Sequence, residues 1–458
     1  MVRFILATVL VLLALPASAQ LLHQSDATQA DPTSAQDGPA PILIQNARIF
    51  DGVSEDLIEG QDVLVQDGMI AEIAAGIEPP EGAVVIDAGG RVITPGFIYM
   101  HEHIMMQASS PELLIADDRY IAILATQTAR DYLDRGITTI RDAAGNTFGL
   151  KQAIDRGVVP GPRIYPSGAM ISQSSGHADH NFPSEPTSFM AGGRPDRMIL
   201  RGDFVVVNGE AEVLHAVREQ LRRGASQIKI ANGGGTGSIA DPLEVTELLP
   251  QEIRMATQAA ADFGTYTMTH VYNTSGVRRA IENGVKSIEH GNLLDKETLQ
   301  LMKDNDVWLS PQVTVYTFIP PGYTEGQAAK HRQAFAGIDQ MFTAAKEIGF
   351  ENIVFGSDII SSPDQILEML GEFEQRTKWF TNVEILRQAT SNGGELLAMS
   401  GILNPYPGKL GVIEEDAHAD ILLFDGNPLD DISVIVDFED NMDLIMKAGV
   451  IYKNEVNE

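Results

Sequence analysis

Between residues 94 and 403, short apolar runs alternate with longer segments of helical period, and few folds accommodate that alternation. The runs cover residues 95–100, 137–141, 163–166, 227–230, 265–269, 286–288, 307–310 and 352–355. Helical segments fall over 117–135, 209–223, 250–263, 274–283, 295–305 and 328–348, and 363–379, 382–390 and 394–399 follow the last run. A strand that pairs in parallel with its successor needs a crossover of about a dozen residues or more, which a helix supplies. The pattern therefore predicts an α/β fold with a parallel sheet, either open and doubly wound or closed. Eight strands, so many of them ending in polar residues, favour closure into a (β/α)8 barrel.

The two ends of the chain read differently. Residues 42–44, 48–50, 62–66, 69–73 and 84–87 are β-rich, with turns at Asp51-Gly52 and Asp67-Gly68. Residues 411–413, 421–424, 432–436 and 444–452 repeat that character at the other end. One small sheet domain assembled from both termini is expected, its parts being 42–93 and 404–458, with the barrel over 94–403. At the start, Arg3 precedes an apolar run over 4–15, then Pro16, Ala17, Ser18 and Ala19. A basic start, a short apolar core and a small-x-small end predict a secretory signal over 1–19, cleaved after Ala19, and a periplasmic or secreted mature protein. Residues 20–41, rich in Ala, Ser, Thr, Asp and Gln, read as a flexible lead-in.

Composition narrows the chemistry. A formal charge of −31 argues against nucleic acid, whose phosphates require clustered Lys and Arg, and against docking on anionic membranes. The absence of cysteine excludes disulfides, thiolate metal sites and Cys nucleophiles. Any metal must be held by His, by carboxylate or by something less usual.

His101, His103, Lys229, His270, His290 and Asp358 stand at or near the ends of the predicted strands. In a barrel those ends share one mouth, so residues far apart in sequence become neighbours. His101 and His103 are two apart and face the same way on an extended chain, so both imidazoles can grip one ion. Lys229 interrupts the apolar run Ile228-Lys229-Ile230. Burial beside dications favours its neutral amine, which can add carbon dioxide and become a carbamate able to bridge two metals. Asp358 is placed to act as general base and then acid, beside a metal that lowers the pKa of water toward ~7. The long stretch 172–204 lacks a clear period and reads as a lid or substrate wall on the catalytic face; 313–327 is a second loop of that kind.

The stretches PGFIYMHEH (95–103), QIKI (227–230), TMTHVYN (267–273), SIEHG (287–291) and FGSD (355–358), with HADILLFDGNPLDDI (418–432) and IMKAGVIYKN (445–454), resemble the amidohydrolase superfamily. The resemblance implies a distorted (β/α)8 TIM barrel and a small composite β-sandwich. It implies that His101, His103 and Asp358 hold one divalent metal, that His270 and His290 hold a second, and that carboxylated Lys229 bridges them with a hydroxide. Zinc is the usual ion. ISQSSGHADHN (171–181), KIANGGGTGSIADP (229–242) and Tyr272 resemble the prolidase-like dipeptidases and carboxypeptidases and the ochratoxin-hydrolysing amidases. In that group a His like His177 and a Tyr like Tyr272 help hold the substrate or its tetrahedral intermediate. The implied partner is a small-molecule or short-peptide amide, and the resemblance leaves room for a homo-oligomer. Tyr99 departs from the family, which usually has Asp before the His pair. A one-metal ring-opening hydrolase or deaminase resembling imidazolonepropionase is the rival reading, against which Lys229 speaks, and a catalytically silent binding barrel is the other.

Overall fold

The computed structural model describes residues 40–181, 184–186 and 193–456. The expected signal segment, nearly all of the lead-in and part of the 172–204 stretch lie outside them.

The chain opens with β1 (Ile42–Ile49), β2 (Ile58–Gln66), β3 (Met69–Ala74), β4 (Val84–Asp87) and β5 (Val92–Pro95). The middle carries β6 (Phe97–Glu102), β7 (Ile137–Asp142), β8 (Arg163–Pro166), β9 (Met170–Gln173), β10 (Phe204–Val207), β11 (Ile228–Ala231), β12 (Thr267–Asn273), β13 (Ser287–Leu293) and β14 (Trp308–Ser310). The last strands are β15 (Ile421–Phe424), β16 (Met442–Lys447) and β17 (Val450–Asn454).

Both chain ends share one eight-stranded sheet, ordered β17-β16-β15-β5-β1-β2-β3 with β4 also on β1. Its seam is the antiparallel β5–β15 ladder, which sets Ile421 opposite Pro95 and Phe424 opposite Val92. Alternation along β15 divides the strand between two cores, since successive side chains leave opposite faces. Ile421 and Leu423 pack with Ile44, Val63 and Ile93 inside the terminal sheet. Leu422 and Phe424 pack on the other side, where the Phe424 ring lies 6.3 Å from that of Phe97. Within this region residues 432–436 are not a strand: Ser433–Val436 form a helical turn, started by Asp431 accepting from the Ser433 amide at 3.0 Å. Residues 411–413 form no strand either, Gly411 turning the chain with φ +74°. Residues 42–44 and 48–49 fall in one strand, β1, with register shifts in its pairing to β2, and Phe50 lies just past its end.

The middle segment pairs in parallel throughout, as β6-β7-β8 and as β10-β9-β11-β12-β13-β14. Regular ladders do not close these two sheets into a ring among the described residues. The 352–355 run contributes only a single bridge, Ile353 to Leu309, and the Met100 amide donates to Phe355 O at 2.6 Å from the other side. The second gap is crossed by Ser226 N donating to Pro166 O at 2.8 Å and by the Gln227 side chain donating to Tyr165 O at 2.9 Å. β9 and β10, which take residues 172–173 and 204 from the stretch read as a loop, are short parallel strands, β9 beside β11 and β10 on the other edge of β9.

Helices cover the parallel strands with one face each. Helix Asp118–Asp134 starts at Asp117, whose side chain accepts the Arg119 amide, and buries Ile121, Ala125, Ala129 and Tyr132 at helical spacing. Helix Glu210–Arg223 carries acids in its first turn and arginines in its last, matching its dipole, and stops at Gly224, whose φ of +100° suits a left-handed cap. No helix among the described residues is long and apolar enough to cross a membrane.

Candidate metal centre

β6 delivers the first pair of imidazoles. His101 Nε2 lies 3.5 Å and His103 Nε2 3.2 Å from Asp358 Oδ1. Glu102, between them, points the other way. Its carboxylate accepts from the Ser357 amide (2.6 Å), the Ser357 hydroxyl (2.8 Å) and the Tyr132 hydroxyl. Burial pushes the Glu102 carboxyl up to about 7, against the hydrogen bonds from Tyr132 and Ser357. Glu102 thus ties β6 to the segment carrying Asp358, whose own amide donates to His101 O at 3.0 Å. The approach is close: a Cβ on Gly356 would sit 2.8 Å from His101 N. Asp358 itself has φ +51° and His290 φ +76°, sparsely populated conformations of the kind that collect at working sites.

β12 and β13 deliver the second pair. Glu289 is in register with His270, and strict alternation would send His290 to the opposite face. The positive φ at His290 lets both neighbours reach the interior. Glu289 Oε2 lies 2.8 Å from His101 Nδ1, and His290 Nε2 lies 2.8 Å from His270 Nδ1.

The tethering of the four rings decides what they can hold. His101 Nδ1 faces Glu289, His103 Nδ1 faces Ala144 O at 3.0 Å, His270 Nε2 faces Gly234 O at 3.2 Å, and His290 Nδ1 faces Gln312 Oε1 at 2.9 Å. The Gln312 orientation follows from its Nε2, which donates to Ser310 O at 2.7 Å. Every outer nitrogen therefore meets an acceptor and must carry the proton. Burial, with the neighbouring imidazoles, holds His270 and His290 well below the ordinary imidazole pKa, and burial with Lys229 holds His101 down to about 4. The rings of His101, His270 and His290 are neutral, so their inner nitrogens are lone pairs. The inner nitrogens of His270 and His290 are then two lone pairs 2.8 Å apart, an arrangement that a bound cation relieves. The donor set fits divalent metal, with the outer contacts fixing tautomer and ring orientation as such sites require. Ligand atoms of His101, His290 and Asp358 lie within 4.8 Å of one another.

Lys229 is buried on β11 and lines the same cavity as the four imidazoles and Asp358. Burial, helped by Arg141, pushes its ammonium down to about 8 against the pull of Glu289, Asp358 and Asp142. Burial would raise Asp358, but His101, the hydrogen bond to His103 and His290 outweigh it and hold its carboxyl below the usual range.

Two supporting residues escaped the sequence reading. Arg141 is fully buried, with Nη2 2.8 Å from both Glu289 oxygens and Nε 2.6 Å from Met100 O. Despite burial, Arg141 and His101 keep Glu289 below the usual carboxyl range, so Glu289 remains an acceptor for His101. The available signal was the one that singled out Lys229: a charged residue inside an apolar strand run.

Tyr272 stacks on His290 with centroids 4.8 Å apart, and its hydroxyl meets that of Tyr316 at 2.7 Å; Tyr316 in turn lies 3.2 Å from His290 Nδ1. Burial keeps the Tyr272 hydroxyl protonated, hence a donor. His177 stacks on His270 with centroids 3.8 Å apart, and its Nδ1 lies 3.0 Å from Ser238 Oγ. Gly235 lies against the ring, where a Cβ would come within 2.1 Å of it. Gly235→Ala must therefore displace His177. A displacement of about 1 Å at a site of this kind costs up to ~100-fold in rate, and a drop of at least ~10-fold in kcat/KM, measured by steady-state kinetics, is the expected outcome; full activity would free His177 of any role. Tyr99 stands apart from the donors, packed on Phe355 with its hydroxyl 3.3 Å from Met369 O.

The four histidines, Lys229, Asp358, Tyr272 and His177 open on one cavity of about 390 Å³. A model of the amidohydrolase family matches residues 92–452. The ochratoxinase of Aspergillus niger is 28% identical over 331 residues, covering 70% of this chain and 66% of the relative, so the chain spans just under two thirds of that protein. The crystal structure of a prolidase complexed with N-methylphosphonate-L-proline is similar with a TM-score of 0.83 at 31% identity, covering 91% of this chain and 100% of that one. The crystal structure of a Xaa-Pro dipeptidase with methionine bound in its active site has a TM-score of 0.79 at 29% identity, with 91% and 100% covered.

Proposed function

The chain belongs to the amidohydrolase family, and on that premise we propose that it is a metal-dependent hydrolase of carbon–nitrogen bonds, acting on a peptide or carboxamide bond. A dipeptide, an N-acyl amino acid or an ochratoxin-like amide is the substrate class. The observation that carries this reading is the tethering of His101, His103, His270 and His290, which turns four inner imidazole nitrogens into one cavity beside Asp358. In the reading, His101, His103 and Asp358 would hold one divalent ion and His270 and His290 a second, with Lys229 available to both as its carbamate. The neutral Lys229 amine adds carbon dioxide and releases one proton, giving a two-oxygen anion. Bound ions, zinc foremost, would polarise the scissile carbonyl and lower the pKa of water toward ~7.

The protein's own groups do the rest. Asp358, ionised, accepts a proton from the attacking water and passes it to the leaving nitrogen, so that the amide C–N bond breaks to acid and amine. Tyr272 donates a hydrogen bond to the carbonyl oxygen as charge develops there. His177, stacked on His270, orients the substrate. A distorted (β/α)8 barrel is part of the same reading, supported by the backbone hydrogen bonds across both gaps between the parallel sheets. So is a composite β-sandwich, supported by the core enclosed within the terminal sheet.

The test is metal analysis beside turnover. Chelator-treated protein should lose hydrolysis of dipeptides and N-acyl amino acids, and zinc should restore it with two ions bound per chain. One ion per fully active chain would favour the imidazolonepropionase-like rival. A metal-loaded protein that hydrolyses no amide would favour the silent barrel.

A further inference from the structure

The cavity has a second half that the metal donors do not use. One side is built by the short helix Ser110–Ile115 and the helix Arg197–Arg201, with Phe204 at the start of β10 beneath them. These elements are fastened together. A capping box of Ser109 and Glu112 starts the first helix, and Arg201 Nη1 donates to Leu113 O at 3.0 Å while its Nε holds Asp203 at 2.5 Å. The wall so formed shows Leu113, Leu114, Met198 and Phe204 to the cavity. The loop after β11 lines the cavity as well, with Ile239.

Leu113, Met198 and Phe204 are buried, but Leu114 is 43% and Ile239 54% exposed. Two large aliphatic side chains from separate segments thus line the cavity of the candidate metal donors and keep much of their surface in water. Apolar surface left wet beside a reaction centre is relieved when a ligand covers it. Charge points the same way. Among the described residues lining the cavity, Lys229 is the only lysine and there is no arginine. The Asp179 oxygens are engaged by Ser175 N at 2.8 Å and Asn181 Nδ2 at 2.9 Å.

We infer that Leu114 and Ile239, over the floor of Leu113, Met198 and Phe204, form the specificity pocket of this site and select amides bearing a bulky apolar side chain beside the scissile bond. The inference rests on the hydrolase reading above. A wall of this kind gains with each methylene covered, about tenfold or more per group. It offers an acidic side chain no counter-ion.

The test is a series of glycine-containing dipeptides and N-acyl amino acids in which the residue on either side of the bond is Ala, Leu, Phe, Glu or Lys, run on the zinc-loaded protein. On at least one side kcat/KM should rise about 100-fold from Ala to Leu or Phe, with Glu and Lys below Ala. Leu114→Ser and Ile239→Ser, at exposed positions, should each shrink the Phe-to-Ala ratio about tenfold. Binding of the same series to the Asp358→Asn protein, followed by calorimetry, should give the same ranking without turnover. A flat series, a preference for charged side chains or an unchanged ratio in both variants overturns the pocket while leaving the hydrolase reading intact. Hydrolysis of no member overturns the hydrolase reading itself, and the pocket with it.

Discussion

Asp358→Asn should lower kcat by about 10²–10⁴-fold, the range spanned by general acid–base catalysis, while the folded protein and its substrate affinity persist. The carboxylate stands where the geometry asks most of it: Oδ1 lies 3.2 Å from His103 Nε2, and the backbone on either side is held by Glu102 and by His101 O. Because its carboxyl is held below the usual range, it is ionised across the neutral range and can accept a proton that an amide cannot. Asn preserves shape and one oxygen, so the comparison isolates proton transfer. Metal content must be counted in the same preparation. A variant with normal ion content and near-normal kcat would refute the assignment, and one that loses an ion would make Asp358 a ligand first.

Lys229→Met should reduce the bound ions from two per chain to at most one and lower kcat/KM by about 10³-fold, a barrier increase of roughly 4 kcal/mol. Methionine fills the buried volume but cannot add carbon dioxide. The metal-free variant should fold at least as well as the parent, since a buried amine with a strong desolvation penalty has been removed. Labelled bicarbonate followed by ¹³C NMR should give a carbamate resonance in the parent and none in the variant. Two ions retained in the Met variant would remove Lys229 from the bridge.

Much of the site could be read from residue order because its members are chemically conspicuous. Imidazoles and a lysine at the ends of apolar runs carry their signal with them, and the four histidines, Lys229 and Asp358 do line one cavity. The supporting residues were hidden for a related reason. Arg141 and Glu289 pair across two strands, and pairing between distant strands leaves no trace in either segment alone. Gln312 and Tyr316, which orient His290, sit in a loop where neither type is unusual. The fold was legible where period and length agreed, as in helix Asp118–Asp134. It was misread where a few aliphatic residues met a local turn. Residues 432–436 are as β-prone as 421–424, but the Asp431 cap decides for helix, whereas β15 is held by neighbours on both sides. The last predicted strand, 352–355, shrank to one bridge because the chain must turn at once to present Asp358.

The β5–β15 seam sets a timetable for the molecule's birth. Its partners lie more than 300 positions apart, and β16, which flanks it, ends only at Lys447. A nascent chain leaving the ribosome can assemble its middle strands early, yet Val92–Pro95 waits with an open edge until Ile421–Phe424 has been made. During that interval the edge is a template for the wrong strand. Synthesis that stalls late therefore yields a sticky product rather than a slightly shortened enzyme.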